Sequence, residues 1–245
     1  DTFMNYNKPY LGRAAVKVIE HLGYNVIVPD PICCGRPMLS KGMLDKAKDN
    51  AQRNVAAVLP YVEAGAKLVG IEPSCILSFR DDYVDLLDDD ASVLVSKHTM
   101  LIEEFVIHAI DNDGAELKFH NSPGQILLHG HCHQKALVGT SKAMRLLKSI
   151  PGCEPTEIDS GCCGMAGSFG YEHYEVSRTV GERRLLPAVR ELDADDCVVA
   201  TGFSCRQQIG HFTGVTALSP SVLLEQACCG DAGIRQAQPR HLTAP

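Results

Sequence analysis

The sequence predicts an α/β protein made of two similar Rossmann-like lobes with parallel sheets, related by internal duplication. Three observations carry this reading. The tripeptide Cys-Cys-Gly occurs at Cys33-Cys34-Gly35 and again at Cys162-Cys163-Gly164. Each pair has a further cysteine at matched distance, 41 positions from Cys34 to Cys75 and 42 from Cys163 to Cys205, and Gly23 and Gly152 stand ten residues before their pairs. Short β-type runs also alternate with helix-length amphipathic segments over short connections, the pattern of parallel sheets covered by helices. A repeat of this kind marks two copies of one unit.

Residues 8–22 read as a helix, with Pro9 in its first turn and Leu11, Ala14, Ala15, Val18, Ile19 and Leu22 on one face. Residues 24–28 form a β-branched run stopped by Pro29, so a strand is expected there. The loop 29–37 carries the first cysteine pair. A long helical pattern covers 41–64, broken near Pro60, and leads to a strand at 67–71. Glu72-Pro73-Ser74 reads as a turn, and Cys75 opens the next helix. The second half repeats the order: strand 125–129, helix 134–149, strand 156–158, the second cysteine pair in a glycine-rich turn, helix 172–192, strand 197–200, and a helix opened by Cys205. Residues 111–124 read as a linker, which sets the lobes at 1–112 and 122–227. The Gly-, Gln- and Pro-rich residues 228–245 are expected to form a disordered tail. Asp1-Thr2-Phe3 runs straight into a helix, whereas the second half opens with a strand. The first lobe is therefore expected to lack its opening strand, as a piece of a longer polypeptide would.

A chain of 245 residues can bury a proper core. Its net charge of −7 and the absence of any basic run argue against a nucleic-acid surface, and without tryptophan there is little material for base stacking. No apolar stretch approaches the roughly 20 residues of a membrane span. Asp1 does not begin a signal-peptide pattern. Eleven cysteines in a chain too long to need disulfide staples point to a reducing, cytoplasmic setting and to thiolates gathered around metal.

The cysteines fall where strands give way to helices, which is where parallel α/β sheets place their ligands. Cys132, Cys162, Cys163 and Cys205 supply four thiolates, the number that holds a 4Fe-4S cluster or a structural zinc. Neighbouring side chains such as Cys162 and Cys163 tend to diverge, which suits a multi-iron cluster better than one tetrahedral ion. Gly161, Gly164 and Gly167 let backbone come close to such a cofactor and aim N–H groups at sulfur. The first site offers only Cys33, Cys34 and Cys75; Phe3 takes the position matching Cys132, with Asp1 the nearest replacement ligand. Iron–sulfur, a zinc with an open position, and a degenerate repeat without metal all remain readings of that site. His131 and His133 flank Cys132 as further candidate ligands, and His129 is either functional or solvent-facing at the strand end. Cys197 reads as core, Cys153 as a surface turn thiol, and Cys228-Cys229-Gly230 as a coincidental echo of the tripeptide.

At the segments Cys33-Cys34-Gly35-Arg36-Pro37, Glu72-Pro73-Ser74-Cys75, His129 to Lys135 and Gly161 to Gly167, the chain resembles the cysteine-rich CCG-domain family. That family includes the cysteine-rich subunit of heterodisulfide reductase and iron–sulfur subunits of flavin-linked dehydrogenases. The segments look most like the C-terminal domain of fused FAD-linked D-2-hydroxy-acid dehydrogenases acting on D-lactate or D-2-hydroxyglutarate. The resemblance implies an electron-transfer domain that takes electrons from flavin and passes them toward a quinone or cytochrome acceptor. It implies FAD and a ferredoxin-like domain elsewhere in the polypeptide or complex, and a location that includes the inner membrane face as a peripheral site. The sequence departs from the fullest family pattern, in which a closing Cys-x-x-Cys is found: Gly202 and Glu72 stand three residues before Cys205 and Cys75. A heterodisulfide-reductase-like thiol/disulfide catalyst and a zinc-stabilised docking module are the alternatives.

Overall fold

The structure is a computed structural model and describes residues 1–30, 32–193 and 196–229. Helix α1 (Thr2–Tyr6) is N-capped by the Asp1 carboxylate, which accepts from Met4 N, and α2 (Pro9–His21) buries Leu11, Ala14, Ala15, Val18 and Ile19. After the first cysteine pair, Gly35 in the left-handed region opens α3 (Arg36–Ser40), which leads to α4 (Leu44–Glu63). Then come β1 (Leu68–Gly70), α5 (Pro73–Arg80), α6 (Asp82–Leu87), α7 (Asp90–His98), β2 (Thr99–Leu101) and α8 (Ile102–Asp113). The second half consists of β3 (Gln125–His129), α9 (Cys132–Leu137), α10 (Ser141–Lys148), β4 (Glu154–Glu157), α11 (Phe169–Glu172), α12 (Tyr174–Glu182), α13 (Leu185–Arg190), β5 (Cys197–Ala200), α14 (Phe203–Thr213) and α15 (Pro220–Cys228).

All strand pairing is parallel, as the α/β reading requires. One sheet has the order β1-β2 and the other β4-β3-β5, with Val199 of β5 also bridged to Leu218. The two sheets echo each other. β1 occupies the sequence position of β5, and β2 takes the outer place that Leu218 takes beside β5. The strand expected over 24–28 is a correction. Those residues have no ladder partner, and Ile27 and Val28 are exposed. In the second half the matching strand, β4, is held by β3; the first half has no counterpart of β3 among the described residues. Without that neighbour, a β-type sequence has nothing to bond with.

Other departures have local causes. Pro60 lies inside α4, one turn from its end, so the helix runs on to Glu63 instead of breaking. Gly139, at φ 71°, divides the helix expected over 134–149, and the one expected over 172–192 is split into α11, α12 and α13. Within the expected linker, α8 extends to Asp113, and Ala115, Leu117 and Phe119 then pack on the core. His120 N donates to Ala227 O at 2.8 Å, so this segment is a fastened strap. Cys228 is buried at the end of α15, within the stretch expected to be tail; residues 230–245 lie outside the described residues.

The largest apolar cluster joins the two halves. Leu11 and Val18 of α2, Ile126 and Leu128 of β3, Leu146 and Leu147 of α10, and Val222, Leu223 and Leu224 of α15 belong to it. A second cluster, with Val55, Leu77, Tyr83 and Val95, lies in the first half, and a third, with Leu186, Val198 and Ile209, lies in the second half and includes Cys163 and Cys205. Each such side chain contributes about 1.5–3 kcal/mol when fully buried. Among the described residues no helix is long and apolar enough to cross a membrane.

Candidate metal centre

Four segments bring the second set of cysteines together. β3 ends at His129, and His131 caps α9 with Nδ1 accepting from His133 N at 3.2 Å, which sets Cys132 as the first helical residue. The turn after β4 carries Cys162 and Cys163, and Gly164 N donates to Cys162 Sγ at 3.3 Å. Gly164 has φ 96°, and a Cβ there would stand 2.2 Å from Ser177 O, so both backbone and packing demand glycine. Gly167 also has positive φ, whereas Gly161 meets no such constraint. β5 leads to α14, where Cys205 is the third residue.

The four thiols are joined as a string, Cys132 to Cys162 to Cys163 to Cys205. Hydrogen bonds from Cys132 and Cys163 bring the Cys162 pKa down to about 2, and the bond from Cys163 holds Cys205 well below the thiol range. The donors move the other way: Cys132 is raised by its bond to Cys162, and Cys163 by its bonds to Cys162 and Cys205. The shifts thus alternate in direction along the string, down at Cys162 and Cys205 and up at Cys132 and Cys163. Among the described residues no three His, Cys, Asp or Glu side chains surround one point as a single metal ion requires. Four thiolates are the donor set of a 4Fe-4S cluster, one to each iron, as well as of a structural zinc. The donor set fits an iron–sulfur group.

The histidines divide. His129 is wholly buried, not solvent-facing, and its Nδ1 pairs with Ser160 Oγ at 2.8 Å. The His129 ring lowers the Cys205 pKa both through its charge and through a side-chain hydrogen bond. His131 is buried as well, and its charge acts on both Cys162 and Cys205. His133 lies among Arg36, Asp81 and Asp82 of the first half, with its pKa lowered by burial and then by Arg36.

The first triplet also converges, Cys33 to Cys34 to Cys75, but its electrostatics differ. The bond with Cys34 and then burial raise Cys33. For Cys34, the bond with Cys33 pulls down, yet the bond to Cys75 and burial push it up to about 12. Cys33 and Cys34 are thus both raised above the ordinary thiol range. Asn54 Nδ2 donates to Cys33 O at 3.1 Å and Tyr83 Oη to Cys34 O at 2.9 Å, which fixes the loop. Phe3, at the position matching Cys132, stacks on Phe203 with ring centres 4.1 Å apart. The Asp1 carboxylate is committed to Met4 N at 3.0 Å, and the side chain that reaches Cys33 is Thr2, which the sequence pattern did not single out. Cys197 is core, as expected; Cys153 is half-buried against the core and not a surface thiol.

Two paired cysteine-bearing lobes with parallel sheets define the class. The pattern of the CCG cysteine-rich domain matches residues 2–80 and 126–210, and the chain belongs to that family. It is 32% identical over 231 residues to one subunit of the anaerobic glycerol-3-phosphate dehydrogenase of Escherichia coli, covering 92% of this chain and 57% of that protein. It is 28% identical over 217 residues to D-2-hydroxyglutarate dehydrogenase of Pantoea ananatis, covering 87% of this chain and 20% of that one. With lactate utilization protein A of Bacillus velezensis the identity is 28% over 210 residues, 82% of this chain and 84% of the relative. The chain therefore spans little more than half of the first relative and a fifth of the second. No solved structure matches it.

Proposed function

We propose that this chain is the iron–sulfur electron-transfer domain of an FAD-linked D-2-hydroxy-acid dehydrogenase, with a 4Fe-4S cluster on Cys132, Cys162, Cys163 and Cys205. The convergence of Cys132, Cys162, Cys163 and Cys205 into one string of four thiols is the observation that carries the reading. Relatives that are dehydrogenases or parts of them support it. When bound, such a cluster would accept and release single electrons. The chain's own residues do the rest. Gly164 N supports Cys162 Sγ, burial of Cys163 and Cys205 limits access of water, and the charges of His129 and His131 favour the thiolate form. FAD, a ferredoxin-like domain and a quinone or cytochrome acceptor are the partners, and the setting is cytoplasmic or at the inner membrane face. The triplet Cys33, Cys34 and Cys75 is a secondary site for iron–sulfur or zinc, with Cys33 and Cys34 raised above the ordinary thiol range.

The chain alone is expected not to oxidise hydroxy acids, because its thiol sites suit single electrons and not hydride removal. In the intact enzyme, Cys163→Ser should spare flavin bleaching by substrate and slow electron delivery to the acceptor at least ten-fold. Stopped-flow flavin reduction, run beside steady-state acceptor reduction, separates the steps. Loss of flavin reduction in a folded variant contradicts the relay, and no change in either step makes the site structural.

A further inference from the structure

The helix that carries Cys205 begins without a cap of its own. Its N-cap is Gly202, and a Cβ at that position would stand 2.3 Å from His131 Cδ2 and 3.3 Å from Cys205 Sγ. No side chain that could cap α14 fits there. The acceptor comes from the other half of the molecule: Glu72 Oε2 accepts from Phe203 N at 2.6 Å. The same carboxylate turns its other oxygen to its own helix, where Oε1 accepts from Ser74 Oγ at 2.7 Å and Ser74 N at 3.4 Å. Glu72 is buried, 3% exposed, and its charge acts on the guanidinium of Arg206, which in turn donates to Ala200 O and Thr201 O at the end of β5. Cys75 and Cys205 are each the third residue of the helix so capped.

We propose that Glu72 is a positioning residue that ties the two cysteine sites together by capping α5 and α14 with one carboxylate. The duplication makes this economical. Glu72 and Gly202 are matched positions, three residues before Cys75 and Cys205. The acid in one copy serves both helix starts, and the glycine in the other makes room for His131. Glu72 thus holds the Cys205 turn in register with the remaining thiols, a role that deepens the iron–sulfur reading of that site without requiring metal for its test.

The test is thiol labelling of the metal-free chain by iodoacetamide, with each cysteine followed by peptide mass spectrometry. Cys205 and Cys197 are both buried, the first beside the capped turn and the second in β5. Glu72→Ala should speed labelling of Cys205 about ten-fold, the factor a lost cap carries, and leave Cys197 unchanged. Glu72→Gln keeps an acceptor oxygen and should restore most of the protection. Unchanged Cys205 labelling, or equal acceleration at Cys205 and Cys197, overturns the proposal. If Glu72→Ala does not fold, Glu72→Gln and Glu72→Asp decide it: Asp, one methylene short of Phe203 N, must label faster at Cys205 than Gln, and the reverse order overturns the role. Iron binding after anaerobic reconstitution of wild type is read separately. Its failure would remove the cluster while leaving the labelling result intact.

Discussion

At the residue scale, the second thiol site depends on backbone that only glycine supplies. Gly164 combines a positive φ with 2.2 Å clearance to Ser177 O, whereas nothing lies near a Cβ built on Gly161. Gly164→Ala should therefore cost about 3 kcal/mol or more, from strain plus the displaced loop, and Gly161→Ala less than about 1 kcal/mol. Thermal melts of the two variants check this, and equal melting temperatures would contradict it. The sequence marked all three glycines alike, because adjacency to cysteines does not say which φ each adopts. It also chose His131 and His133 over His129, since strand alternation suggests exposure at the end of β3. The burial of His129 under Ser160 and beside Cys205 comes from long-range packing, which leaves no local signal.

At the element scale, α8 and α9 meet through a buried acid and amide. Gln134 Nε2 donates to Glu103 Oε1 at 2.7 Å, while Gln134 Oε1 has no partner among the described residues. Burial lifts the Glu103 pKa from 4.5 to about 7. The hydrogen bond from Gln134 favours the charged form and offsets part of that rise. Unfolded, this group loses its proton above 4.5; folded, it keeps it to about 7, so the folded state binds more protons in between. Stability contributed here is full below 4.5 and falls as pH rises through that window, by about 3 kcal/mol in all. Glu103→Gln should abolish that loss, so its stability relative to wild type should rise by this amount between about pH 4.5 and about pH 8. Urea titrations at the two pH values measure it, and a pH-independent difference would contradict it. Helices and strands with clear periodicity, such as α2, β3 and β5, were legible in the sequence. The segment 24–28 was not, because strand formation depends on a neighbour and not on its own β-branched residues.

At the scale of the whole molecule, the two cysteine-bearing halves share a core. α15, at the end of the second half, contributes Leu223 and Leu224 to the cluster that holds Leu11 and Val18 of α2. Leu223→Ala should cost about 2–5 kcal/mol and shift one common unfolding transition, followed by circular dichroism and by tyrosine fluorescence. Two separated transitions, with only the second displaced, would show that the halves fold independently. The repeat of Cys-Cys-Gly made the duplicated α/β plan and the thiol clusters readable from sequence. The sharing of α15 and the strap 115–121 was not readable, since the repeat does not say how its copies pack and the strap has no counterpart in it.

The central claim is that the string of Cys132, Cys162, Cys163 and Cys205 holds an iron–sulfur cluster. The most direct measurement is iron and acid-labile sulfide content after anaerobic reconstitution, with the EPR spectrum of the reduced protein, for wild type and Cys163→Ser. The account predicts about four irons and four sulfides at the second site, the stoichiometry of a 4Fe-4S group, and loss of the reduced-cluster signal in the variant. Zinc bound in place of iron, or an identical cluster signal after Cys163→Ser, would contradict it.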